Sequence, residues 1–293
     1  MSNRDDFIMK PKVDFCFKEL MADEEVRRGF ISAVLGMKPE EILETELLPT
    51  ILRKEWPEDK LGILDVRVKI NGNQQMDVEI QIAPFEFWAE RSLFYLSKMY
   101  TEQIKAGEPY AVLQKCIHVG VLDFIFFPEE EAYYSRFHLW EDNRKEKYTD
   151  KLEIHILELP KLFRHEYPET ELLRWARFLN AERKEEFENM AKEDPYIDKA
   201  YDCLTKLSAD EIKRLEYEAR QKAIRDYNTQ ALSNWNAGHK AGIQEGIQQG
   251  IQALVKTCQE LGVPREKAEE KIVENFQLSL QETKKAVEQY WKE

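Results

Sequence analysis

No apolar run in the 293-residue chain approaches the roughly 18–20 residues that a bilayer span needs, so a membrane-crossing helix is excluded at the outset. Cysteine is sparse. The four, Cys16, Cys116, Cys203 and Cys258, form no CxxC pair and have no histidine at zinc-ligand spacing, which excludes a disulfide framework and a thiolate zinc site. Positive charge is in deficit as well: 43 Lys and Arg stand against 56 Asp and Glu, and the net charge of -13 excludes a protein that coats nucleic acid with a general basic surface. A local basic groove beside a metal site remains compatible with it. The opening MSNRDDFIMKPK lacks the apolar stretch of a secretory leader, and the expectation is a cytoplasmic protein. What is present is a globular composition, 43% hydrophobic and 34% charged with 15 Phe and 12 Tyr, long enough for one or two domains.

Strand-type patterns concentrate in the first 165 residues. Alternation, or β-branched and aromatic enrichment, marks 61–70, 75–83, 114–127, 132–140 and 151–159. Helical periodicity marks 14–36, stopped by Gly36, and 86–105, stopped before Gly107. This order predicts an α/β or α+β core. Beyond Pro160 the pattern turns helical: 169–192, a segment after Pro195, a charged stretch at 208–230, a glycine-punctuated one at 231–260, and two short helices at 265–276 and 279–291. Ser279 with Glu282 three residues on predicts a capping box at the start of the last. Histidines 118, 138 and 155 sit in apolar strand patterns at unrelated spacings and read as structural.

The chemistry concentrates in LGILDVRVKINGNQQMDVEIQI, residues 61–82. Alternation puts Leu64, Val66, Val68 and Ile70 on one face of the first strand, and Met76, Val78, Ile80 and Ile82 on the same face of the second. A two-residue Asn71-Gly72 turn would set polar against apolar on both faces, because a one-residue slip flips every side chain. A three-residue loop, Asn71 to Asn73, restores both faces and pairs Val66 with Val78, Arg67 with Asp77 and Asp65 with Glu79. Two carboxylates then stand directly opposite, with Cβ atoms about 5 Å apart, and repel unless a cation lies between them. A divalent metal does this, since Mg²⁺ is commonly held by one or two carboxylates together with water and phosphate oxygens. The other reading of the same spacing is a solvated sheet face on which Arg67 and Lys69 keep the two acids apart.

An aspartate, a turn, then Glu-x-Gln on the next strand resembles the PD-(D/E)XK nuclease core, with Leu64-Asp65 in place of Pro-Asp and Glu79-Ile80-Gln81 in place of Glu-x-Lys. As an ordered set, DFCFKELM (14–21), GILDVRVKI, VEIQI, ERSLFYLSKMYTEQIKAGEPY (90–110) and LEIHILELPKL (152–162) resemble the Rpn group of recombination-promoting nucleases and transposases in that superfamily, over about residues 8–180. The resemblance implies a restriction-endonuclease-like mixed sheet. It also implies metal-dependent cleavage of DNA, with Mg²⁺ or Mn²⁺ as the cofactor and a link to recombination and mobile elements. Carried onto this chain, Asp65 and Glu79 are the expected metal ligands, with the Ile80 carbonyl as a third. Gln81 stands where the superfamily has lysine, which it replaces only as a hydrogen-bonding group. Asp14 and Lys18, one turn apart, match the opening motif, and Lys18 is a candidate for the missing positive charge. Arg91, in the ERSxxY pattern, is a candidate phosphate contact, with a salt bridge to Glu86 as its other reading. Asp77 is assigned to Arg67 as a cross-strand partner.

The expected organisation is a nuclease-like core over 1–165, a helical extension over 166–230, and a glycine-repeat helix with a small helical interaction module over 231–293. Gly238, Gly242, Gly246 and Gly250 recur every four residues, and each costs a helix about 1 kcal/mol relative to Ala, which close approach of another helix would offset. The expectation is a homodimer through the C-terminal helices. The last two helices carry six basic against seven acidic residues over 265–293, poor for a DNA-reading helix-turn-helix. Against the enzyme stands a reading from another class: a catalytically decayed nuclease fold acting as an interaction or regulatory module, suggested by Gln81 and the acidic balance.

Overall fold

The computed structural model describes residues 7–52, 58 and 60–291. The first six residues, on which the reading of the leader partly rests, lie outside the described residues. The chain divides into two compact units, Met1–Ile224 and Arg225–Glu293.

The first unit is built on a six-stranded mixed sheet. Its strands are β1 (Thr45–Leu47), β2 (Val66–Ile70), β3 (Gln74–Gln81), β4 (Cys116–Leu122), β5 (Tyr134–Phe137) and β6 (Leu152–Glu158), in the spatial order β1-β2-β3-β4-β6-β5. β1, β2 and β3 form an antiparallel meander. β4 then lies parallel to β3, and β6 parallel to β4. A parallel neighbour needs a crossover, and helix α3 (Trp88–Thr101) supplies the one between β3 and β4. The three parallel strands are the centre of the sheet. CIHVGVL of β4 is buried at every position, the mark of a strand covered on both faces.

Val66, Val68, Ile70, Met76, Val78, Ile80, Ile117, Val119, Val121 and Leu157 make one apolar face. It is covered by α1 (Asp14–Ala22), α2 (Glu24–Leu35), α4 (Glu171–Asn180), α5 (Lys184–Ala191) and α6 (Pro195–Ala209). The opposite face carries α3, whose Tyr95, Leu96 and Met99 pack with Cys116, and whose Trp88 packs with Leu122 and Ile156.

The three-residue loop holds: Ile70 pairs with Gln74, Val66 with Val78 and Arg67 with Asp77, and Asn71 and Gly72 take the left-handed φ of 47° and 70° that the reversal requires. Several boundaries differ from expectation. The helix expected over 14–36 is two helices, because Asp23 is extended and its carboxylate caps α2 by accepting from the Glu25 and Val26 amides. The helix expected over 169–192 likewise breaks between α4 and α5. β2 begins at Val66 rather than 61. The chain bends at Asp65, and Leu64 packs with Leu52, Tyr95, Leu96 and Met99 on the α3 side instead of sharing the face of Val66. β1, three residues at a sheet edge, has too little apolar pattern to be read from sequence.

The charged and glycine-rich stretches form one 50-residue helix, α7 (Glu211–Glu260), within which the first unit ends and the second begins. In the second unit Ile251 and Val255 pack with Ile272 of α8 (Arg265–Phe276) and Val287 of α9 (Leu280–Tyr290). Ser279 caps α9 in the expected box, accepting from the Glu282 amide while Glu282 accepts from its own.

Candidate active site

The site forms where β2 begins and β3 ends, and hydrogen bonds crossing between the strands hold its two acids. The Asp65 amide donates to Glu79 Oε1 at 2.8 Å, and the Ile80 amide donates to Asp65 Oδ2 at 3.1 Å. Each carboxylate thus accepts from the backbone of the opposite strand, continuing the β2–β3 register one step past the last ladder pair. The chain bends at Asp65, just outside the ladder, where these two bonds are made.

Two cations balance the acids. Lys18 Nζ, from the middle of α1, lies 2.9 Å from Asp65 Oδ1. Arg91 Nη2, from the first turn of α3, lies 2.7 Å from Glu79 Oε2, and its Nη1 donates to Gln81 Oε1 at 3.2 Å. Gln81 is fixed in turn by donating to the Ala83 carbonyl. The Arg91 guanidinium sits 5.3–6.0 Å from the ring centres of Phe85, Trp88 and Tyr95, within cation–π range of all three. Glu86 is therefore not its partner. Asp14 lies one turn before Lys18, with its carboxylate 3.9 Å from Arg220.

Glu79 is the buried member, 1% exposed against 18% for the Asp65 side chain. Burial, then the nearby charges of Asp65 and Asp77, push its carboxyl up to about 7, with Arg91 and His118 pulling the other way.

Beneath Glu79 lies a second pair that sequence reasoning missed. Asp77 faces Arg67 across the hairpin as expected, but its carboxylate bonds His118 Nδ1 of β4 at 2.7 Å, and both residues are fully buried. Burial lowers the proton affinity of His118, yet the charge of Asp77 and its hydrogen bond outweigh that and raise it. Arg67 turns instead to Gln75 at 2.8 Å and Glu102 at 3.1 Å. Nothing local in the sequence announces the Asp77–His118 contact, since β3 and β4 are joined through a crossover and their register is set by tertiary packing. His138 and His155, read as structural, both contact the buried Glu153 of β6 rather than this pair.

Among the described residues, no group of three or more His, Cys, Asp and Glu side chains closes a metal cage. What Asp65 and Glu79 offer is a pair of hard oxygen donors, the set suited to a Mg²⁺ that keeps most of its shell as water and phosphate oxygens. The donors therefore fit such an ion.

An antiparallel meander carrying the acids, a crossover helix and a parallel strand define a nuclease-type α/β core. The family model described as PD-(D/E)XK nuclease family transposase matches residues 11–233, and the chain belongs to that family. No curated protein and no solved structure matches. Membership carries a nuclease- or transposase-related role on nucleic acid, in a superfamily that generally uses divalent metals. Among the described residues no helix is long and apolar enough to cross a membrane.

Proposed function

We propose that the chain is a divalent-metal-dependent DNA endonuclease that hydrolyses phosphodiester bonds with Mg²⁺ or Mn²⁺. The observation that carries this reading is the reciprocal bonding of Asp65 and Glu79, which holds two carboxylates side by side at a strand end, one of them buried at a cost that a metal would offset. Asp65, Glu79 and the Ile80 carbonyl are the proposed ligands. When bound, the ion supplies charge neutralisation at the phosphate and a more acidic bound water. Gln81 orients Arg91 and is a hydrogen-bonding group toward water or phosphate. Lys18 and Arg91 supply the positive charge that Gln81 cannot, and Arg91 is the proposed phosphate contact. Asp14, turned to Arg220, supports the helix that presents Lys18. Family resemblance links the activity to recombination, in a cytoplasmic protein acting as a dimer through α7.

Incubating purified protein with plasmid DNA and Mg²⁺ or Mn²⁺, with and without EDTA, tests the reading. Nicking or linearisation that EDTA stops, and that Asp65→Ala and Glu79→Ala each reduce by at least about 10²-fold, is the expected result. Full cleavage by both variants excludes these ligands.

A second reading has its own observation. Both carboxylates already hold internal cations, which is also how a decayed site would be stabilised as an interaction module. Absence of cleavage and of Mn²⁺ binding by the parent would favour it.

A further inference from the structure

Resting on the metal-dependent reading above, we propose that Lys18 and Arg91 are exchangeable counterions: a divalent ion displaces them from Asp65 and Glu79, and only then do they bind a DNA phosphate. The metal would thereby switch on the nucleic-acid affinity of the site.

The argument starts from charge. A chain of net charge -13 repels a polyanion, so attraction must arise locally. With Lys18 on Asp65 and Arg91 on the ionised Glu79, four formal charges pair in two contacts of 2.9 and 2.7 Å and sum to zero, leaving no excess positive charge for DNA. A divalent ion on the same two carboxylates takes over their neutralisation. The group then carries two positive charges in excess, and the ammonium and guanidinium are repelled by the ion that replaced them. A phosphodiester arriving at the metal is the anion that balances them.

Both side chains are built to move this way. The Lys18 and Arg91 side chains are 39% and 31% exposed, so each head group reaches solvent without unpacking its helix. The Arg91 guanidinium centre lies 5.3–6.0 Å from the ring centres of Phe85, Trp88 and Tyr95, so its fork turns among these rings from one anion to the other, with its Nη1 contact to Gln81 as the pivot. Lys18 swings from an α1 position where no partner other than Asp65 holds it within an ion-pair distance among the described residues. The device also answers the missing superfamily lysine. Two cations from flanking helices stand in for one from the strand, but only after release.

One substitution separates the proposal from its rivals, because it moves two affinities in opposite directions. In Lys18→Met the competitor for Asp65 is gone, so Mn²⁺ binding without DNA, read by electron paramagnetic resonance, should tighten about two- to fivefold, the scale of a partly exposed ion pair. Binding of a short fluorescein-labelled duplex in Ca²⁺, read by anisotropy, should weaken, with the log–log salt slope shallower by about one for the lost phosphate contact. Arg91→Met should show the same loss on the duplex side, and Lys18→Arg should restore both of the Lys18 affinities. In EDTA the parent should bind the duplex weakly, and neither variant should differ from it in salt slope. Unchanged or weaker Mn²⁺ binding by Lys18→Met, or Ca²⁺-dependent duplex binding equal to that of the parent, overturns the exchange. If the parent itself binds neither Mn²⁺ nor duplex, the metal-dependent reading has failed, and this inference with it.

Discussion

Glu79 concentrates the electrostatic tension of the molecule in one side chain. It is buried, it has Asp65 and Asp77 for neighbours, and its carboxyl is raised from 4.5 to about 7. A group whose proton affinity is higher folded than unfolded contributes stability below its unfolded value and loses it as the pH climbs to the folded value. The metal-free parent should therefore lose on the order of 2–3 kcal/mol from this residue between about pH 4.5 and pH 7. Glu79→Gln removes the titration and keeps an acceptor for the Asp65 amide. In EDTA its melting temperature relative to the parent should therefore rise from about pH 5 to about pH 8. An offset that is the same at both pH values would deny Glu79 its raised proton affinity. Mn²⁺ should repeat the pattern from the other side, raising the melting temperature of the parent more at about pH 8 than at about pH 5, since ligands must be deprotonated to bind.

Strands β3 and β4 and helix α3 meet at Gly120, which pairs with Glu79 in the parallel register. A Cβ on Gly120 would lie 2.7 Å from the Trp88 ring, so the glycine is what lets the indole lie on the sheet and carry Arg91 above it. Gly120→Ala should cost about 1–3 kcal/mol in urea denaturation through overpacking of a fully buried ring, with cleavage falling further than stability because Arg91 moves with Trp88. A variant with parental stability and activity would show that the indole is free to shift. This arrangement also marks how far the sequence could be read. Period-two alternation and Asn71-Gly72 together are enough to determine the odd loop, and with it the Asp65–Glu79 adjacency, since both signals are local. By contrast, His118 on Asp77 joins strands separated by a crossover, and Arg91 on Glu79 and Gly120 beneath Trp88 depend on how the crossover helix packs on the sheet, which no local pattern gives. Asp23 was hidden for another reason: a capping carboxylate inside a continuous helical period looks like an exposed helical residue until its backbone is seen to be extended.

At the scale of the whole molecule, the middle of α7 stands out among the described residues for its exposed apolar side chains. Between residues 228 and 255 only Lys240 and Glu245 carry charge, in a chain that is 34% charged, and Leu232, Trp235 and Ile243 are exposed. Charge depletion with an exposed aromatic is the composition of an interface core rather than of a solvated helix. Of the four glycines, Gly250 is explained within its own unit, where the Phe276 ring would lie 2.8 Å from an added Cβ. Gly238, Gly242 and Gly246 have nothing within 4 Å of that position. Each lowers helix stability by about 1 kcal/mol relative to Ala, and no contact within the described residues offsets this. In the proposed dimer a second copy of the helix would offset that cost, because glycines let two backbones approach closely, and a two-fold pair is the commonest closed arrangement. The two costs separate in Gly242→Leu on the full chain. The added side chain meets open space in the monomer and raises helix propensity by up to about 1 kcal/mol, so thermal stability should hold or increase while light scattering shows the parental dimer falling to a monomer. A monomeric parent, or a variant that remains dimeric at the same concentration, would leave the glycine repeat unexplained by self-association.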